Sequence, residues 1–117
     1  MHLVPTDRAH RRIIDEEKVC QAIDSLDPNH IRDWSERFDL LSDPTRLSLL
    51  LCIKAAEPIS VSDLAAAVNQ NSDTVSQTLR FLRATHTVTA HRDGRVIRYQ
   101  LADPTVRQLL AFGATNA

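Results

Sequence analysis

The side chains of this chain best equipped for chemistry lie between Asn71 and Gln100. On a helix turning about 100° per residue, Asp73, Ser76, Gln77 and Arg80 gather in one arc, opposite Val75, Leu79 and Leu82. Ser72 and Thr74 belong to the first turn of the same segment and join the expected contact set. Hydroxyl, amide and guanidinium groups in the opening turns of a helix are what base edges and phosphates require. Further on, His91, Arg92 and Arg95 surround Asp93-Gly94, where a projecting loop could reach a neighbouring phosphate backbone. The chemistry available to this set is hydrogen bonding and charge neutralisation, not bond making.

Catalytic patterns are missing. Gly94 and Gly113 are the only glycines, so there is no Gly-rich phosphate loop, and neither a nucleophile elbow nor a zinc-hydrolase spacing occurs. An enzyme is the weakest reading, and no catalytic or cofactor-binding residue is predicted. Cys20 and Cys52 are too few for a disulfide scaffold and too far apart for a CxxC site. Free cysteine is commonly a small buried apolar residue. Cys52, inside an apolar stretch, is expected to be buried, and Cys20, beside Lys18, to be partly exposed. The functional alternative is a metal or redox sensing site, in which the two thiols meet or Cys20 joins His10 or His30 around a soft metal. The five histidines, His2, His10, His30, His86 and His91, are scattered and form no HxxxH pair.

Helices must carry most of these groups. Asp27-Pro28, Asp43-Pro44 and Asp103-Pro104 each place a capping carboxylate before a proline suited to the first helical position. Ser60 and Asp63 have capping-box spacing. From those starts the pattern predicts helices over about 15–26, with Val19, Ala22, Ile23 and Leu26 as its stripe, and 29–41, with Ile31, Trp34, Phe38 and Leu41. A nearly all-apolar helix over 44–56 follows, then 61–68, 72–84 with Val75, Leu79 and Leu82 inward, and 104–112 with Val106, Leu109 and Leu110. Asn69-Gln70-Asn71 makes the fourth and fifth helices a helix-turn-helix, and Asn69 suits a left-handed position there. Between Thr87 and Leu101 the period changes to alternation around Asp93-Gly94, which predicts one β-hairpin with both central residues at positive φ. The fold class is mainly α with a small β-hairpin, a winged helix-turn-helix.

Composition agrees. Hydrophobic residues make up 43% and charged residues 25% of 117 residues, the balance of one soluble globular domain. Residues 1–14 are expected to form a flexible arm and 15–117 the DNA-binding and dimerisation domain. The longest apolar run, Leu47 to Ile53, is too short and too interrupted to span a bilayer, and no apolar signal core opens the chain. A cytoplasmic protein with no membrane partner is expected. The net charge of −1 hides an asymmetry: residues 1–43 carry ten acidic and six basic side chains, whereas residues 71–100 carry five arginines against two aspartates. Such a local basic patch attracts phosphate.

The run Phe38-Asp39-Leu40-Leu41-Ser42-Asp43-Pro44-Thr45-Arg46-Leu47 opens a series of segments that resembles a known group. It continues with Ile59 to Ala65, Val75 to Arg83, Arg92 to Arg95 and Tyr99-Gln100-Leu101. In order and spacing, from about Trp34 to Leu110, these segments resemble the ArsR/SmtB family of bacterial winged-helix repressors. The resemblance implies a homodimer joined through its N- and C-terminal helices. It also implies a palindromic double-stranded DNA operator, released when a divalent transition metal or other inducer binds.

The departures are specific. Ser60-Val61-Ser62 stands where many members carry a Cys-x-Cys metal site. On the closing helix Asp103 is present, but Thr105 and Asn116 occupy positions where histidine ligands would be expected. Thr78 replaces a common histidine on the fifth helix, and His86 takes the place of a helix-ending glycine. A soft divalent ion prefers thiolate and imidazole to a hydroxyl, so both familiar metal sites lack their strongest ligands. The competing reading is a winged-helix module for protein–protein contact, with the arginine face docking an acidic partner and no operator specificity.

Overall fold

The structure, a computed structural model, describes residues 4–8 and 10–114. After a 3-10 turn at Thr6–Arg8 come α1 (Glu16–Asp24), α2 (Pro28–Leu41), α3 (Pro44–Ala56), β1 (Ile59–Ser60), α4 (Val61–Val68), α5 (Ser72–Ala84), β2 (Val88–Asp93), β3 (Val96–Leu101) and α6 (Pro104–Ala114). The chain divides into two compact units, Met1–Phe38 and Asp39–Ala117.

Local chemistry sets the helix starts. Asp15 accepts the Lys18 amide at 3.2 Å, Asp27 the Asn29 amide at 3.0 Å, Asp43 the Arg46 amide at 2.9 Å, and Asp103 the Thr105 amide at 2.9 Å. Ser60 accepts the Asp63 amide at 3.3 Å. Each bond satisfies an amide that the first helical turn would otherwise leave unpaired.

In the second unit α3 is central, burying Leu49, Leu50 and Ile53 completely. Around it pack Leu64 of α4, Val75, Leu79 and Leu82 of α5, Val88 of β2, and Tyr99 and Leu101 of β3. The closing helix joins the same core: Val106 and Leu110 are buried within the chain. Both belong to the stripe expected on that helix, which the resemblance assigns to a dimer interface. The helix packs against α3, so its stripe is largely used at home and only Leu109 stays half-buried.

The first unit departs from expectation in the other direction. On α2, Ile31 and Phe38 are 46% and 56% exposed, and of the predicted stripe only Leu41, at the helix end, packs against the core of the second unit. The rings of α2 instead form a ladder, with His30 stacked on Trp34 at 6.0 Å and Trp34 against Phe38 at 5.6 Å. On α1 the buried residue is Cys20, while Leu26, expected as the last residue of its stripe, lies beyond the helix end at Asp24 and is 56% exposed. The cysteine expectations are thus reversed: Cys20 is buried and Cys52 half-buried.

The sheet has three strands in the order β1-β3-β2, all antiparallel. β1 is only Ile59 and Ser60, paired with Tyr99 and Arg98. Two residues are too few to show alternation, and Ser60 was already explained as a helix cap. The hairpin turn also lies one residue later than predicted. Asp93 pairs with Val96, so the loop is Gly94-Arg95, and of these two only Gly94 has a positive φ, +64°. That is the glycine placement of a type II′ turn rather than the type I′ turn expected from Asp-Gly.

Candidate nucleic-acid interface

The α4–α5 turn is built from backbone geometry. Asn69 is left-handed, with φ 55° and ψ 51°, as its residue type allows. The Asn69 amide bonds the Ala66 carbonyl at 3.3 Å and the Gln70 amide bonds that of Ala65 at 3.0 Å, the paired bonds of a Schellman motif. Asn71 then caps α5, accepting the Asp73 amide at 2.6 Å. The end of α5 repeats the device: left-handed His86 bonds Arg83 at 3.0 Å, and Thr87 bonds Leu82 at 2.9 Å. Both ends of α5 are therefore pinned by residues other than glycine.

With Val75, Leu79 and Leu82 fully buried, the opposite face of α5 has only solvent to meet. Ser72, Thr74, Gln77 and Arg80 are exposed there, and Ser76 is half-buried at the flank. Thr78 turns its hydroxyl back onto the Thr74 carbonyl at 3.1 Å.

The hairpin separates the three wing residues that the sequence grouped. Strand alternation puts Arg92 on the face of Val88 and Ala90, and His91 on the opposite face with Asp93 and Arg98. Arg95 occupies the loop itself. All three are exposed. Arg98, one of the five clustered arginines, is engaged by Asp93 at 3.0 Å and is the half-buried member of that pair.

Sequence reasoning missed a pair beside α5. The Arg46 guanidinium lies over the Phe81 ring, 4.9 Å from its centroid. It also donates from Nε to the Leu40 carbonyl at 3.0 Å and from Nη2 to the Asp39 carbonyl at 3.2 Å. The available signal was Phe81 itself, an aromatic residue off the inward stripe.

A capped helix-turn-helix whose outer face carries amide, hydroxyl and guanidinium groups, followed by an arginine-tipped hairpin, defines a winged-helix DNA-binding regulator. Comparison with known proteins gives the family. Residues 41–89 match a helix-turn-helix domain model. The transcriptional repressor SmtB homolog of Synechocystis sp. is 41% identical over 92 residues, covering 79% of this chain and 67% of that protein. The regulator NmtR of Mycobacterium tuberculosis is 36% identical over 85 residues, 73% of this chain and 70% of its own. Among solved structures, the AntR antimony-specific transcriptional repressor superposes with a TM-score of 0.64 at 26% identity, covering 98% of this chain and 93% of that one. The chain belongs to the ArsR/SmtB family of winged helix-turn-helix transcriptional repressors and is not an enzyme.

The family's familiar metal sites do not fit the residues present. Ser60, at one thiolate position, is a buried helix cap with its oxygen engaged by the Asp63 amide. Asp103 spends one carboxylate oxygen on the Thr105 and Val106 amides. Thr105 offers a hydroxyl where an imidazole is needed; Asn116, like His2, lies outside the described residues. Among the described residues no three His, Cys, Asp or Glu side chains gather closely enough to hold a metal ion, so Cys20, His10 and His30 form no such cluster within one chain. No described helix is long and apolar enough to cross a membrane.

Proposed function

We propose that this repressor reads DNA with α5, using Ser72, Thr74, Ser76, Gln77 and Arg80 at the major groove or its flanking phosphates. His91, Arg92 and Arg95 then hold the adjacent backbone. The observation that carries the reading is the outer face of α5, where Gln77 and Arg80 stand exposed on a helix fixed at both ends. Amide and guanidinium side chains form the bidentate base contacts that discriminate sequence.

The working unit of the proposal is residues 15–117, with 1–14 as an arm, acting in the cytoplasm as a two-fold homodimer joined through N- and C-terminal helices. Exposed Leu26, Ile31 and Phe38 favour a partner surface on the N-terminal helices. Two-fold symmetry would set the recognition helices about 34–36 Å apart on a palindromic operator. Inducer release by a transition metal or related ion is proposed on the relatives alone, one of which, AntR, is an antimony-specific repressor. Cys20 and Cys52 are the two thiols through which such control would be sought.

A gel-shift titration on a duplex selected from a random library tests the reading. Gln77→Ala and Arg80→Ala should each weaken binding by roughly 1–3 kcal/mol. Unchanged affinity in both overturns the assignment of α5. Light scattering should give a dimer at micromolar concentration, and a monomer there overturns the dimeric arrangement. Cys20→Ser should keep operator affinity and abolish release by whichever ion or oxidant acts on the parent. Release as ready as the parent's makes Cys20 structural.

A further inference from the structure

Phe81 is a large apolar side chain left 43% exposed on the helix that faces DNA in the function proposed above. It is not loose. Arg46 covers its ring from 4.9 Å, and that guanidinium is itself held by the Asp39 and Leu40 carbonyls at 3.2 and 3.0 Å. Gln77 lies four residues earlier, on the same side of α5. Gln77, Thr78 and Phe81 line an open pocket of about 230 Å³ together with Asp43 and Arg46.

The chemistry of that pocket suits a base edge better than a phosphate. Its aromatic wall offers an anion no hydrogen bond, Arg46 already spends Nε and Nη2 on the Leu40 and Asp39 carbonyls and its face on the ring, and the Asp43 carboxylate beside it would repel an anion. In the major groove the apolar feature of a base edge is the 5-methyl group of thymine, and the natural partner of a glutamine amide is adenine. Gln77 and Phe81 are separated by a rise of about 6 Å along the helix, or roughly two base-pair steps of about 3.4 Å.

We propose that Phe81 is a specificity-determining residue that packs on the 5-methyl group of a thymine in each operator half-site, close to an adenine read by Gln77. Arg46 is the positioning residue that holds the ring. The inference rests on α5 being the DNA-reading helix, and its test is separable from the test of that reading.

A duplex is first selected from a random library with the full chain. Each thymine of its half-site is then replaced in turn by deoxyuridine, which removes only the methyl group. At one position the parent protein should lose about fourfold in affinity, the worth of one buried methyl. Phe81→Ala should bind the thymine and deoxyuridine duplexes equally, whereas Gln77→Ala should retain the difference. Arg46→Lys, which keeps the charge but not the planar fork, should reduce the thymine preference in a protein whose circular dichroism is unchanged. If no thymine in the half-site is sensitive to its methyl group, or if Phe81→Ala keeps the full difference, the inference fails while the α5 assignment stands on Gln77 and Arg80. If the chain selects no duplex, both fail.

Discussion

Glu57 and Arg107 form a two-pronged ion pair across 50 residues of sequence, with Arg107 Nη1 on Oε2 at 2.5 Å and Nη2 on Oε1 at 2.8 Å. Oε1 also accepts the Leu101 amide at 3.0 Å. One carboxylate therefore ties together the end of α3, the last residue of β3 and the second turn of α6. The hydrogen bond from Arg107, reinforced by the Leu101 amide and nearby positive charge, holds the Glu57 carboxyl below its ordinary value of 4.5.

Because the folded value is depressed, the stabilisation is complete above the unfolded value and is lost as pH falls through the folded one. Thermal melts should show Glu57→Gln several degrees less stable than the parent at pH 7. That gap should stay constant above about pH 5, shrink as pH falls below the ordinary carboxyl value of 4.5, and close only once the folded Glu57 carboxyl is itself protonated. A gap independent of pH would mean that the charge on Glu57 contributes nothing.

Arg95, exposed in the hairpin loop, is expected to contact backbone alone. Arg95→Ala should weaken binding to all duplexes alike and lower the slope of log affinity against log salt by roughly one. Gln77→Ala, which removes no charge, should leave the slope unchanged and relax preference at one base pair. Anisotropy titrations at several salt concentrations separate the two.

Asp93 engages Arg98 at 3.0 Å, and on a DNA-contacting wing its negative charge would oppose phosphate. Asp93→Asn should strengthen binding to any duplex several-fold at low salt and steepen the salt slope by up to about one. The ion pair is largely solvent-facing, so folding stability should change by less than about 1 kcal/mol. Weaker DNA binding in this variant would show that Asp93 orients Arg98 toward DNA rather than withholding it.

Two left-handed positions should respond oppositely. A Cβ at Gly94 would meet nothing within 4 Å, so any loss in Gly94→Ala comes from its φ of +64° alone. Urea unfolding should show a loss of roughly 1–3 kcal/mol. His86→Gly relieves a side chain from φ 60° and should be neutral or stabilising by up to about 1 kcal/mol.

Much of the fold was legible because its signals are local. The Asp-Pro and Ser60 starts, the turn at Asn69 and the inward stripe of α5 are each decided within a few residues of chain, and all are borne out. Gly94 was legible as a turn residue, but its exact turn was not, because the register of Asp93 with Val96 depends on which faces of β2 and β3 meet the core. The contact face of α5 could be drawn from periodicity. Arg46 could not be added to it, since nothing within its own helix points to a ring 35 residues away.

By itself, then, the amino-acid sequence determined where the capped helices begin and which face of α5 turns inward, though not every helix end: α1 stops at Asp24 rather than residue 26, and α6 runs on to Ala114 rather than residue 112. Capping, turn conformation and periodicity are short-range effects, and their residues are neighbours in the chain. Only the tertiary structure decided that Val106 and Leu110 close the chain's own core, that Cys20 is buried, that Ile59 and Ser60 add a third strand, and that Arg46 grips Phe81. Those outcomes depend on which surfaces meet across long stretches of sequence. An apolar stripe states only that something must cover it, and packing chooses what does.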